Sequence, residues 1–267
     1  MDIINYYDII FVVLVYRNTT DLRDFFKSFF MPKTKVIVVN SYFDELSEKK
    51  FKAIAEYYNA DFLSVPNKGY GFGNNRGIEY ALKNYKFKYL VISNADILIK
   101  KLEIVDLQNL GDGIFAPKLL TLSGKNQNPS CPFVPSILTE GFKYWCYKGN
   151  HKKLVWLYYI HSRIKKIIFY LMMIVGHRKI FSAHGAFVII SSNVVKKIYP
   201  FYNEEMFLFN EEEHLGRLAK ANGIDTYYVP KIIINHKEDG SMDLANIDDF
   251  EKMRQSYLIY YKTWIKK

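Results

Sequence analysis

Cysteine is scarce and acidic residues are missing from a long central stretch of this chain. Cys131 and Cys146 are its only cysteines among 267 residues. Neither a disulfide framework nor a multi-cysteine zinc site can therefore be built, and a reducing, cytoplasmic setting is expected. Long apolar runs are also lacking. Residues 9–15 fall well short of the ~20 needed to cross a bilayer and read as a buried strand, while Met1 and Asp2 do not open a basic secretory leader. No internal repeat, low-complexity tract or flexible linker interrupts the chain, which excludes collagenous and repeat-array architectures and favours one composite domain. With 49% hydrophobic and 24% charged residues the sequence is too apolar for intrinsic disorder.

Acids are absent from residues 141–180, where nine of the 37 basic residues fall: Lys143, Lys148, Lys152, Lys153, Arg163, Lys165, Lys166, Arg178 and Lys179. The rest of the chain is close to neutral, so the net charge of +10 belongs to one segment. Tyr and Trp interleave with these cations, and the longest charge-free stretch, residues 167–176, is too short to span a membrane. Two readings stand: a buried helical insertion packed on the sheet, or a peripheral contact with an anionic membrane surface.

The first hundred residues alternate. Strand-like runs at 9–16, 35–40, 62–65 and 89–93 are separated by helical stretches at 21–30, 45–59 and 74–84, the last preceded by a Gly/Asn loop at 67–73. Such βαβ spacing predicts an α/β, doubly wound, mostly parallel sheet with helices on both faces. Ligands of such sheets bind at the carboxyl ends of the strands, where Tyr16, Asn18, Asn40, Asn67, Asn94 and Asp96 fall. The second half is less regular: a loop at 123–135, the basic segment, a strand at 186–190, a helix at 211–222 and a last strand at 226–234 ending near His236.

Four local patterns carry chemistry, each beside an ordinary alternative. Gly69, Gly71 and Gly73 precede a helix and let backbone approach a ligand, or simply form a turn; their spacing is neither a dinucleotide fingerprint nor a Walker motif. Asn94 and Asp96 place two oxygen side chains around a turn, suited to Mg²⁺ or Mn²⁺ or to an Asx turn. Glu211, Glu212 and Glu213 suit a helix N-terminus, yet the apolar residues before them can bury one carboxylate and raise its pKa as a general base requires. His236 at a strand end is either structural or a ligand.

Together these patterns resemble the family 2 glycosyltransferases of GT-A fold, especially the rhamnosyltransferase-like enzymes of bacterial surface-polysaccharide synthesis. The resemblance is carried by Tyr16 to Asn18; by Asn67, Gly69, Tyr70, Gly71, Asn74, Asn75 and Gly77; by Asn94 and Asp96; by Gly185 and its successors; by the Glu211-Glu212 pair; and by His236 with Gly240 and Ser241. It implies one catalytic domain, with a nucleotide-binding half (1–100), an acceptor half (101–240) holding the basic-aromatic helical insertion 141–180, and a helical tail (241–267). It implies inverting transfer of a sugar from a nucleoside-diphosphate donor to a hydroxyl of a glycan or lipid-linked acceptor. Glu212 is the expected base with Glu211 as second choice, and Asp96 and His236 are the expected ligands of a divalent cation. Tyr16, Asn18, Asn40, Asn94 and the 67–77 segment are expected to hold the donor. Asn94 replaces the family's usual Asp, removing a charge from the metal motif, and Glu212 replaces an Asp. The expected location is the inner face of the cell membrane. A non-catalytic binder of membrane or nucleic acid has no use for the acidic cluster, and a sugar-nucleotide pyrophosphorylase would show glycines after the first strand, where Tyr16 to Thr20 has none. No nucleic-acid partner is expected.

Overall fold

Ile9, Ile10, Phe11, Val12 and Val13 are all fully buried, because the strand they form is covered on both faces. The computed structural model describes residues 6–149, 151–174, 178–238 and 249–266. In chain order these form β1 (Tyr6–Val15), α1 (Thr19–Lys27), β2 (Thr34–Ser41), α2 (Glu45–Tyr57), β3 (Asp61–Val65), α3 (Tyr70–Asn84), β4 (Lys86–Asn94), β5 (Ile97–Lys101) and α4 (Val105–Gln108). The second half adds β6 (Ile114–Thr121), α5 (Ile137–Lys148), α6 (Lys152–Ile174), β7 (Lys179–Ile180), β8 (Phe187–Ser191), α7 (Ser192–Ile198), α8 (Glu211–Ala221), β9 (Thr226–His236) and α9 (Asp249–Trp264).

All strands join one sheet of order β3-β2-β1-β4-β8-β6-β9-β5, with β7 paired to β9. The half made of β3, β2, β1 and β4 is parallel, as the alternating pattern predicts. Beyond β4 the pairing is mixed: β8 runs antiparallel to β4 and β6, while β6 and β9 are parallel. The order turns back between β1 and β4, which opens a crevice at their carboxyl ends.

Side chains alternate across the sheet with period two. Ile9, Phe11 and Val13 pack with Leu22 and Phe25 of α1 and Phe51 and Ile54 of α2, whereas Ile10 and Val12 pack with Ile78 and Ala81 of α3 and Val194 and Val195 of α7. A one-residue slip of β1 would exchange these sets, so both faces fix its register. A third cluster, with Cys146, Tyr147, Val155, Met206, Tyr257 and Tyr260 fully or nearly buried, binds α5, α6 and α9 to the segment before α8.

Helix α3 begins at Tyr70, four residues before the expected start at 74, so Gly71 and Gly73 are helical and not part of a loop. Their lack of side chains serves packing. A Cβ on Gly71 would lie 2.7 Å from Tyr202 Cβ, one on Gly73 2.5 Å from Leu14 Cδ1, and one on Gly77 2.4 Å from Val12 Cγ1. Of the four glycines of this segment only Gly69, at φ 108°, needs glycine for its backbone conformation.

Three strands escaped the sequence reading, β5, β6 and the two-residue β7. β6 carries Pro117, which argues against a strand, but its ladder with β9 shifts register between Pro117 and Lys118 and so tolerates the ring. β5 is only five residues long and ends in two lysines. The basic segment is a pair of helices, and its cations do not all face outward. Lys143 is buried, Lys166 donates to the Gln127 carbonyl at 3.2 Å, Arg178 to the Met173 carbonyl at 2.9 Å, and Lys179 pairs with Asp225 at 2.7 Å.

Candidate active site

A cavity of about 760 Å³ opens where β1 and β4 end, within the range of small-molecule sites. Tyr16, Asn18, Asn67, Gly69, Tyr70, Asn94, Asp96, Glu211, Glu212 and His236 line it, so most of the expected residues meet there. Asn40, Gly71, Asn74, Asn75 and Gly77 do not line it. Asn40 is buried and donates to Ser64 Oγ at 3.1 Å. Asn74 bonds back to the Tyr70 carbonyl within α3. Asn75 clamps α3 to the segment after α7, donating to the Tyr202 carbonyl at 2.9 Å and accepting from the Tyr202 amide at 3.3 Å. Gly240 and Ser241 lie outside the described residues.

The cavity's polar floor is built by strand pairing. The β5–β9 ladder sets Ile97 opposite His236, and the Lys237 amide donates to the Asp96 carbonyl at 3.0 Å. His236 Nε2 consequently stands 3.1 Å from Asp96 Oδ2. On its other side Nδ1 meets Gln127 Oε1 at 2.8 Å, and Gln127 is oriented because its amide nitrogen donates to Glu238 at 2.8 Å. The Gln127 oxygen can only accept, so it holds a proton on Nδ1 and leaves Nε2 as the ring atom that faces the carboxylate. A nitrogen and an oxygen at this distance match adjacent ligands of an octahedral cation, which at about 2.1 Å lie about 3 Å apart. Among the described residues no group of three or more His, Cys, Asp or Glu converges on such a point, so other ligands would have to come from substrate oxygens or water.

Several contributors were not foreseen. Asp21 is buried in the wall, accepting from Asn18 Nδ2 at 2.6 Å and Lys237 Nζ at 2.9 Å; Asn18 also caps α1 through the Thr20 amide. His184 sits with its ring centre 5.8 Å from that of His236; burial, then the neighbouring His236, pushes its pKa down to about 3, so it is neutral. Gln127, Glu238 and Lys252 also face the cavity. None of these stands in a pattern that sequence spacing would single out, except that His184 directly precedes the Gly185 motif.

The acidic cluster enters from α8. Phe209 and Asn210 precede it at φ 74° and 64°, a left-handed pair that turns the chain sharply into the helix. The turn is braced from two helices: Lys143 of α5 donates to Asn210 Oδ1 at 3.4 Å, and Asn210 Nδ2 donates to the Met253 carbonyl of α9 at 3.3 Å. Further back, Glu140 of α5 accepts from Arg217 of α8 at 3.0 Å and from Tyr257 and Tyr260 of α9 at 2.6 and 2.9 Å. Glu212 Oε1 accepts from the Gly185 amide at 3.2 Å, and the Gly185 carbonyl accepts from Tyr70 at 2.8 Å. Burial raises the pKa of both Glu211 and Glu212; like charge from Glu212 raises Glu211 further, whereas the Gly185 amide and Lys143 partly oppose the rise at Glu212.

No family model matches the chain. It is 23% identical over 222 residues, 82% of its length, to the low-salt glycan biosynthesis hexosyltransferase Agl10 of Haloferax volcanii, and spans 63% of that protein. Among solved structures it is similar to TarS 1–349 of S. aureus (TM-score 0.56, 12% identity, 97% of this chain and 73% of that one). GalNAc-T7 with UDP, GalNAc and Mn²⁺ gives TM-score 0.58 at 10% identity, over 86% and 44%. The mannosyltransferase PcManGT of Pyrobaculum calidifontis with GDP-Man and Mn²⁺ gives 0.51 at 12%, over 89% and 59%. The chain thus has the GT-A glycosyltransferase fold, and its similarity in sequence is to a hexosyltransferase.

Proposed function

We propose that the protein is an inverting, metal-assisted glycosyltransferase, moving a hexosyl group from a nucleoside-diphosphate sugar to a hydroxyl of a glycan or lipid-linked acceptor in cell-surface polysaccharide synthesis. The observation that carries this reading is the shared cavity: the Asp96–His236 pair at the strand ends faces the same space as the buried Glu211 and the half-buried Glu212. The cavity is otherwise ill suited to an anion. Among the described residues Asp96, Glu211, Glu212 and Glu238 line it beside one ammonium, Lys252, and Asp21 in its wall is already paired with Lys237, so a diphosphate is best accepted together with a cation. Asp96 and His236 are the residues that would hold Mg²⁺ or Mn²⁺, which supplies charge neutralisation for the leaving diphosphate.

Glu212 is assigned as the base. Its carboxylate, fixed by the Gly185 amide, takes the proton of the acceptor hydroxyl as that oxygen attacks the anomeric carbon from the side opposite the diphosphate. Tyr16, Asn18, Asn67, Gly69 and Asn94 are assigned to the donor. Asn40, Gly71, Asn74, Asn75 and Gly77 support the reading by shaping the walls that carry those groups. Motif order supports placement with the rhamnosyltransferase-like enzymes and one catalytic domain with the halves described above.

The membrane contact belongs to the same proposal, with its emphasis moved from charge to apolar surface. Leu157, Ile160, Ile164, Ile167, Ile168, Leu171 and Ile174 recur at helical spacing along one exposed stripe of α6, and Ile137, Leu138, Phe142 and Trp145 are exposed on α5. Lys148 and Arg163 are exposed nearby, and no acid lies between residues 141 and 180. A lipid surface of negative charge complements both features. No described helix is long and apolar enough to cross a membrane.

The test is a panel of UDP-, GDP- and dTDP-sugars screened for thermal stabilisation with Mg²⁺ or Mn²⁺. A metal-dependent shift with one nucleotide class is expected; no shift with any member overturns the reading.

A further inference from the structure

Glu211 lines the cavity, and its buried Oε1 has no hydrogen-bond partner among the described residues. Native proteins seldom bury a side-chain oxygen in this way unless another molecule completes it. Its neighbour differs, since Glu212 Oε1 takes the Gly185 amide. We infer that Glu211 is a sugar-binding group and not a reserve base: its carboxyl pairs with a ring hydroxyl of the donor sugar, which separates the roles of the two adjacent acids. The inference rests on the nucleotide-sugar reading above.

The surroundings of Glu211 favour its neutral form. Glu212 and Glu213 crowd it from its own helix, Tyr70 of α3 and the buried Tyr202 after α7 face the pair, and the Lys143 ammonium of α5 acts on Glu212 and Glu213. Burial and this like charge push its pKa well up, whereas Glu212 has an amide donor and a cation to support its anion. Two carboxyls whose environments divide them in this way can act as one hydrogen-bond donor and one proton acceptor. A neutral Glu211 donates its O–H to a sugar oxygen and accepts from a hydroxyl through the other oxygen. The donor ring is the occupant to which both acids are adjacent, because the base must reach the acceptor oxygen that attacks the anomeric carbon of that ring on the face opposite the diphosphate.

The experiment is calorimetric titration of the full chain, with Mn²⁺ present, using UDP-GlcNAc, UDP, GDP-mannose and GDP. One sugar nucleotide should bind about tenfold tighter than its bare diphosphate, the fold-change of one well-placed hydrogen bond. Glu211→Leu should lose that preference while keeping affinity for the diphosphate, and Glu211→Gln, neutral and still a donor, should retain it. A preference that survives Glu211→Leu overturns the inference, as does its equal loss in Glu211→Gln. Equal binding of sugar nucleotide and diphosphate by the unsubstituted chain overturns this inference alone. Failure to bind any of the four nucleotides overturns the nucleotide-sugar reading itself and this inference with it.

Discussion

His236 presents Nε2 to Asp96 Oδ2 across 3.1 Å, with its other nitrogen held by the side-chain oxygen of Gln127. Gln127 is therefore a positioning residue for the cation proposed at this pair. Gln127→Ala should weaken Mn²⁺ binding by about 10- to 100-fold, the usual effect of losing a partner behind a metal-ligating imidazole. Asp96→Ala should remove binding altogether. Paramagnetic titration of Mn²⁺ measures both; unchanged affinity in Asp96→Ala would mean that the cation, if bound, sits elsewhere.

Glu212→Gln keeps the side chain's shape but cannot take a proton. Transfer should fall by roughly 10²- to 10⁴-fold, the share general-base catalysis supplies, with donor binding retained. Near-normal turnover in this variant, alongside a crippled Glu211→Gln, would exchange the two assignments.

Much of the site was legible in the sequence because its residues occur at strand ends in a regular βαβ series, where Tyr16, Asn18, Asn67, Asn94 and Asp96 had to converge. What was not legible depends on pairing between distant segments. Gln127 gains its role only because β6 and β9 bring their carboxyl ends together, and Asp21 only because Lys237 reaches it from the end of β9. The glycines misled for a physical reason: small residues at 71, 73 and 77 signal close approach of backbone, but the approaching groups are Tyr202, Leu14 and Val12, not a ligand. Charge misled similarly at 141–180, where composition counts Lys143 and Lys166 but cannot tell that both turn inward.

Two helical glycines should respond oppositely to alanine. Replacing glycine inside a helix ordinarily gains about 1 kcal/mol in propensity, and Gly141 of α5 has nothing within 4 Å of the new methyl, so Gly141→Ala should stabilise by roughly that amount. At Gly77 the methyl would meet Val12 and Val39 at 2.4 and 2.8 Å, and overpacking costs about 1–3 kcal/mol, which outweighs the propensity gain. Urea denaturation of both variants checks the pair; stabilisation by Gly77→Ala would mean that α3 can lift from the sheet.

The titration of buried groups predicts a pH signature. His214 accepts from Trp264 Nε1 at 2.9 Å, and burial lowers its pKa to about 4 from the ordinary histidine value of 6.5. A lowered histidine pKa means that the unfolded chain binds a proton more readily, so stability is lost as pH falls from about 6.5 toward 4. Glu211 has the opposite sign: its pKa is raised by burial, so its ionisation in the unfolded chain costs stability as pH rises above about 4.5. Glu211→Gln should therefore raise Tm at pH 7 and lose that advantage near pH 4, while His214→Gln should blunt the decline between pH 6.5 and 4. Calorimetric Tm profiles that run parallel to the unsubstituted protein would refute these assignments.

The exposed stripe on α6 offers the sharpest separation between apolar and electrostatic contributions to membrane contact. Ile164, Ile167, Ile168 and Leu171 remain exposed in the fold, with Ile164, Ile167 and Leu171 more than half so at 51%, 62% and 61%. Full burial of such a side chain is worth about 2 kcal/mol, and each Lys or Arg near an anionic leaflet about 1 kcal/mol. With Lys143, Lys166 and Lys179 engaged within the protein, the whole stripe of seven exposed apolar residues from Leu157 to Ile174 outweighs the cations that remain. Ile164→Ser with Ile168→Ser and Leu171→Ser should abolish sedimentation with vesicles containing phosphatidylglycerol, at unchanged Tm because no core contact is removed. Reversing Lys148, Arg163 and Lys165 to Glu should weaken binding and flatten its salt dependence without abolishing it. If the charge reversals abolish binding and the serine variant still sediments, electrostatics dominates after all. If neither set of substitutions changes sedimentation, the stripe is not the membrane-facing surface.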